Sequence, residues 1–194
     1  MSKVLASVLI LIFISGCSLK EMSQPITTYS ITTSDTVQNQ QKGQDILKIS
    51  RFKSPAFLQS RRIWYKYPTS ITNSYLYSQW NENFVSMIEQ NVADNLSKSG
   101  LFKGVFTQYS RITPDLLLEG NVVNAVQNIS SVSFDIQLYL VDSKTSKLIS
   151  TKDFSYTQKC DTIDAKGAVS AYTKIVKKLN KDVILWLKTL VKVN

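Results

Sequence analysis

The spacing of apolar residues changes character along this chain, and each change marks an element. Positions 4–14 are almost continuously apolar, whereas residues 18–45 are dominated by Ser, Thr and Gln, with Pro25 and Gly43 among them. Within that polar stretch, Thr28-Tyr29-Ser30-Ile31-Thr32 alternates and is β-branched, which predicts a short strand or an extended docking segment. From residue 46 onward the pattern is that of a folded domain. Residues 46–50 and 61–66 read as strands with Pro55 between them, and Pro68, Thr69, Asn73 and Ser74 mark a loop. A helix is predicted over 78–99, where Trp80, Phe84, Met87, Ile88, Val92 and Leu96 share one arc. Ser78 suits its N-cap and Gly100 its stop. Asn91 and Asn95 fall inside the apolar arc, and bonding to nearby backbone or partial exposure is expected for both.

Residues 102–109 and 115–123 are further strand candidates, the second following Pro114. The clearest strand comes next. Val132, Phe134, Ile136, Leu138 and Leu140 alternate with Ser131, Ser133, Asp135, Gln137 and Tyr139, so one face rests on a core. Residues 142–146 form a turn and 147–157 the hairpin partner. A long helix is predicted over 164–191 with Asp164 as N-cap. Val169, Tyr172, Ile175, Val176, Leu179, Val183, Trp186, Leu187 and Leu190 make a stripe about 120° wide. Lys174, Lys177, Lys178, Lys181, Lys188 and Lys192 lie opposite, with Leu185 among them. An amphipathic helix with a solvated lysine back accounts for most of this. Leu185 is the feature that points to a partner surface, made with Lys174, Lys177, Lys178, Lys181 and Lys188. The fold class that follows is α+β, a mostly antiparallel sheet with two long helices packed on one face.

The N-terminal run has its own chemistry. Lys3 precedes the apolar stretch, and Ile14-Ser15-Gly16-Cys17 closes it, the layout of a secretory signal with a bacterial lipobox. Cleavage between Gly16 and Cys17 would leave Cys17 as the first mature residue, acylated (palmitate among its chains) on thiol and amine. As a helix, residues 4–14 would span ~16 Å, about half of a ~30 Å hydrocarbon core. Several acyl chains at ~0.8 kcal/mol per methylene hold firmly where one alone is marginal. Ser18 follows, with no Asp there to signal inner-membrane retention, so the periplasmic face of the outer membrane is the expected location. The division is thus 1–16 signal peptide, 17–45 lipidated N-terminus and flexible tether, and 46–194 the domain.

The 194 residues contain no histidine, which excludes Ser-His-Asp, Cys-His and His-metal chemistry. No catalytic residue, metal ligand or cofactor motif stands out, and no enzymatic role is expected. Of two cysteines, Cys17 takes the lipid and Cys160 is left without an intrachain partner; a half-buried thiol near a strand end is the expectation. The formal charge of +9 suits anionic headgroups or an acidic partner. A periplasmic address makes nucleic acid an unsuitable partner.

Several short motifs occur in an order that resembles the ABC-type transport auxiliary lipoprotein family, the PqiC-like lipoproteins of MCE-type lipid transport systems. They are the lipobox cysteine, Tyr29-Ser30-Ile31, strand 46–50, Arg61-Arg62-Ile63-Trp64-Tyr65 and Tyr75-Leu76-Tyr77-Ser78-Gln79-Trp80-Asn81. Leu96-Ser97-Lys98-Ser99-Gly100-Leu101-Phe102, Asp115-Leu116-Leu117-Leu118 and the hairpin at Asp142 complete the set. Two positions depart from the family pattern. Gln79 stands where a basic residue is usual, and Asn81, Glu82 and Asn83 replace the usual acidic and proline positions. The resemblance implies a non-enzymatic, outer-membrane-anchored lipoprotein that docks an MCE-domain protein of an ABC lipid transport system, with assembly into a homo-oligomeric ring. The alternative is an outer-membrane lipoprotein that serves another envelope machine, as assembly factor or cell-wall synthase activator, because fold alone does not decide function.

Overall fold

The computed structural model describes residues 24–33 and 43–191. Its elements follow in the order β1 (Thr27–Tyr29), β2 (Ile46–Ile49), β3 (Arg62–Lys66), β4 (Thr72–Trp80), α1 (Phe84–Lys98), β5 (Gly104–Thr107), β6 (Leu116–Asn128), β7 (Ser131–Asp142), β8 (Leu148–Lys159) and α2 (Ala165–Lys188). The alternation read between Ser131 and Leu140 is realised in β7: Val132, Phe134, Ile136, Leu138 and Leu140 are buried, and the residues between them are half-buried. β6 and β8 flank β7 in antiparallel register over nearly its whole length. Each large side chain so buried contributes ~1.5–3 kcal/mol, which makes this three-strand meander the frame of the molecule.

The sheet is mixed, not mostly antiparallel. The far edge of β6 is shared by two short strands that run parallel to it. β2 pairs with its beginning, Leu47 opposite Leu116, and β3 with its end, Tyr65 opposite Gln127. Between them, Lys53 bridges to Asn121. Residues 46–66 therefore behave as one interrupted strand, broken where Pro55 starts a short 3-10 turn, Ala56–Leu58. β5 adds to β2 in parallel after the α1 crossover, and β1 adds to β4 in parallel, while β3 and β4 form an antiparallel hairpin. Periodicity cannot distinguish a parallel neighbour from an antiparallel one; the intervening chain decides it, through α1 for β5 and β6 and through β2 and β3 for the β1–β4 pair.

Helix α1 begins at Phe84, not at residue 78. Residues 78–80 complete β4, where they pair with β1, and Trp80 N–H donates to the Arg61 carbonyl at 2.7 Å. The N-cap is Asn83, whose Oδ1 accepts from Val85 and Ser86 N–H; the apolar arc masks this cap because Trp80 falls in phase with it. Likewise Asn73 and Ser74, expected in a loop, lie inside β4. Asp164 caps α2 as expected, its carboxylate accepting from Gly167 N–H at 2.7 Å, though α2 ends at Lys188, sooner than predicted. Strand β6 runs on to Asn128, past the predicted 123, through a bulge between Val122 and Asn124 that breaks the alternation.

Both helices cover the apolar face. Phe84 of α1 meets Phe134 of β7 at 6.3 Å and Tyr172 of α2 at 5.2 Å between ring centres. Trp80, at the end of β4, packs edge-on to Tyr172 at 5.5 Å. Phe52 lies over Gly120 of β6, where a Cβ would come within 2.6 Å of its ring. The Glu89 carboxylate of α1 accepts from Phe52 N–H at 3.1 Å, so the 46–66 stretch is tied to both layers.

Candidate docking surfaces

The lysine stripe of α2 is real, but part of it is used within the protein. Positions 174, 177, 178, 181, 185 and 188 recur at intervals of three and four, so they share one helix face, and all six are exposed. Lys174 pairs with Asp161 at 3.0 Å. Lys178 pairs with Asp182 at 2.7 Å and lies over the Tyr156 ring at 4.8 Å. The Tyr156 hydroxyl donates to the same Asp182 carboxylate at 2.9 Å. Burial, and then that carboxylate, push the Tyr156 pKa well above the usual phenol range. The bond from Lys174, followed by that from Ser170, holds Asp161 below the usual carboxylate range. Lys181, Leu185 and Lys188 carry the outward part of the stripe toward the helix end, and Leu185 is 62% exposed.

At that same end of the molecule β8 begins, with Leu148 and Ile149 exposed. Trp186 ties α2 to β8 there, through its ring against Phe154 and an indole N–H to the Ser150 hydroxyl at 3.3 Å. Leu185 therefore lies on α2 at the end where β8 begins, a placement the sequence does not show because Ser150 is distant along the chain.

The opposite end gathers the β3–β4 loop, the β6–β7 turn and the β8–α2 loop. There Tyr65, Lys66, Tyr67, Pro68, Tyr75, Gln127, Ile129 and Ile163 line an open cavity of about 410 Å³. Tyr65 packs against Tyr67 and Tyr75 at 5.3 and 4.9 Å. The Tyr75 hydroxyl donates to Gln127 Oε1 at 2.8 Å, and Gln127 Nε2 to the Ile129 carbonyl. Burial pushes the Tyr75 pKa up to about 12, partly offset by its bond to Gln127. No sequence motif pointed to this cavity; the only hint was the density of tyrosines between residues 65 and 77.

The N-terminal segment is built into the domain. Of residues 28–32, expected to form a strand or docking segment, Thr28 and Tyr29 lie in β1; beyond it Ile31 is buried and Thr33 enters a polar cluster between the helices. The Thr33 hydroxyl donates to Asn91 Oδ1 and accepts from Asn95 and Asn180 Nδ2, at 3.0 to 3.1 Å. Asn91 and Asn95 also bond backbone carbonyls one helical turn earlier, at Met87 and Asn91. The expectation for these two residues therefore holds in part, and their long-range role was missed. Asn180, buried in the same cluster, carries an amide oxygen that lacks a partner among the described residues.

Cys160 directly follows β8 and is buried, more deeply than expected. Burial first, then Asp161 and Asp164, push its thiol pKa up, so the thiolate needed for attack is scarce. Gly16 and Cys17 lie outside the described residues, as do residues 34–42 and Lys192. Among the described residues no helix is long and apolar enough to cross a membrane.

The family model for the ABC-type transport auxiliary lipoprotein component matches residues 29–184. The chain belongs to this family. Its match begins at Tyr29, in β1, so the family unit includes the docked N-terminal segment. Among solved structures, protein XCC0632 from Xanthomonas campestris, of family DUF330, superposes with a TM-score of 0.72 at 16% identity, over 82% of this chain and 94% of that one. A crystal structure of an uncharacterized protein gives 0.68 at 11% identity, over 84% and 99%. At these identities the likeness speaks for the fold alone. A PelC dodecamer from Paraburkholderia phytofirmans reaches a TM-score of 0.42 at 12% identity over 77% and 93%, too low to bear on assembly. A search of curated proteins by sequence finds no match.

Proposed function

We propose that this auxiliary lipoprotein is the docking component of an MCE-type lipid transport system, anchored through acylated Cys17 at the periplasmic face of the outer membrane. Its role is binding, not catalysis. The carrying observation is Leu185, exposed between Lys181 and Lys188 on a helix whose other large apolar residues face inward or half-inward. An apolar anchor ringed by basic residues is how docking patches combine burial with steering. Family membership supports association with an ABC transport system, and the lipobox supports the anchor. A ring of copies would multiply weak contacts around one partner.

Photocrosslinking tests this directly. A crosslinking residue at position 185 of the full-length lipoprotein, in intact envelopes, is expected to capture an MCE-domain protein, and one at Gln158 is not. Capture of a cell-wall synthase or another envelope machine would overturn the transport assignment. A crosslink to a second copy alone would show that the stripe serves self-assembly.

A further inference from the structure

The aromatic cavity lies at the end of the sheet toward which the N-terminus of the chain points. β1 runs parallel to β4, with Thr27 opposite Ser78 and Tyr29 opposite Trp80. The residues before Thr27 therefore head toward Thr72, where β4 begins beside the cavity. Residues 18–23 separate Cys17 from Gln24, the first described residue, and even a fully extended chain of that length reaches at most ~25 Å. An acylated Cys17 thus keeps this end close to the bilayer.

The surface there suits such a neighbour. Tyr67, Ile71, Ile129 and Ile163 come from three separate loops and are all exposed, Ile71 by 58% and Ile163 by 68%. Single exposed apolar residues are ordinary, but a group converging from different loops marks a contact surface. Lys66 lines the same cavity, and a lysine beside tyrosine and isoleucine suits the boundary of headgroup and acyl chain, where amphipathic rings concentrate. The two carboxylates of the adjoining loop are used internally: Asp161 binds Lys174 and Ser170, and Asp164 caps α2. Neither needs to face a membrane unpaired.

We propose that this end of the domain rests in the lipid headgroup layer, with Tyr67, Ile71, Ile129 and Ile163 entering the interface. The proposal rests on Cys17 being the lipid anchor. It orients the molecule: β6 has 13 residues, at ~3.3 Å each about 43 Å of strand, and so holds Leu185 and Leu148 far from the bilayer that carries the anchor. One end would meet lipid while the other is presented to a partner.

The full-length acylated protein, in vesicles of phosphatidylethanolamine and phosphatidylglycerol, provides the test. Ile71→Cys, Ile163→Cys and Leu185→Cys each carry a fluorophore, and the unsubstituted chain gives the background from buried Cys160. All three sites are exposed, so none of these changes disturbs packing. Spin-labelled lipid is expected to quench positions 71 and 163 at least about threefold more than position 185. The N-terminal peptide of the same sample is weighed by mass spectrometry. Acylated Cys17 with equal quenching at the three positions would overturn the proposal alone. Absence of acyl mass on Cys17 would overturn the anchor and the proposal with it. Protection of positions 71 and 163 that depends on the protein-to-lipid ratio would show a second copy on this surface and overturn the proposal as well.

Discussion

Thr33 and Asn180 are 147 positions apart, yet the Asn180 side-chain amide donates to the Thr33 hydroxyl at 3.1 Å. This bond joins the segment that follows β1 to the middle of α2, and Asn91 and Asn95 of α1 share the same hydroxyl. The N-terminal segment is consequently held by both helices as well as by β4.

Thr33→Val keeps the shape of the side chain and removes the hydroxyl. Three partners, of which Asn95 and Asn180 are buried, lose their common bond, which should cost about 1–3 kcal/mol by urea unfolding. Amide exchange should speed up at β1 and Ile31 while β6 and β7 keep their protection. Unchanged exchange at β1 would show that β4 pairing alone holds the segment.

Gly120→Ala places a methyl 2.6 Å from the Phe52 ring. Overpacking of this kind costs about 1–3 kcal/mol. Combined with Phe52→Leu, the loss should be less than the sum of the single losses. Additivity within about 0.5 kcal/mol in a double-mutant cycle would contradict the contact.

Asp164→Ala removes the cap of α2 and should destabilise the protein by about 0.5–2 kcal/mol in chemical denaturation, with Asp164→Ser recovering most of it. An equal loss in both variants would assign the effect to something other than the cap.

Burial raises the pKa of Glu89 in the folded protein above that of the unfolded chain, with the Phe52 N–H bond opposing. The folded state thus holds the proton more tightly, and the stabilisation this gives is full below about pH 4.5 and lost as pH rises through the folded pKa. Relative to Glu89→Gln, the wild-type melting temperature should gain as pH falls from 7 toward 4.5. A constant difference over that range would count against the shift.

The Cys160 thiol, buried and with a raised pKa, should react with an aromatic disulfide reagent at least about 100-fold more slowly in the native protein than in urea. Comparable rates would mean that the β8–α2 junction opens readily.

Legibility followed the range of the interactions involved. β7 was readable because alternation over ten residues has one cause, a sheet with one buried face. α2 was readable because its stripe and its Asp164 cap are both local. The start of α1 was not: Trp80 lies in helical phase with Phe84, and only pairing with β1 and the Arg61 carbonyl holds it in a strand. Of the candidate surfaces, the lysine stripe with Leu185 could be read from one helix. The aromatic cavity could not, because it draws on β3, β4, β6 and three connecting loops.

By itself the sequence determined the α+β class and the family, through the order of short motifs along the chain, and the face of α2 that carries its lysines, which depends on residues within a few turns of one another. Tertiary structure alone decided that the sheet is mixed, that β2 and β3 share one edge of β6, that Asn91, Asn95 and Asn180 converge on Thr33, and that exposed apolar residues from distant loops gather around the aromatic cavity. Strand order and the meeting of distant loops are set by burying one common face under two helices, and no local pattern encodes which neighbour completes that burial.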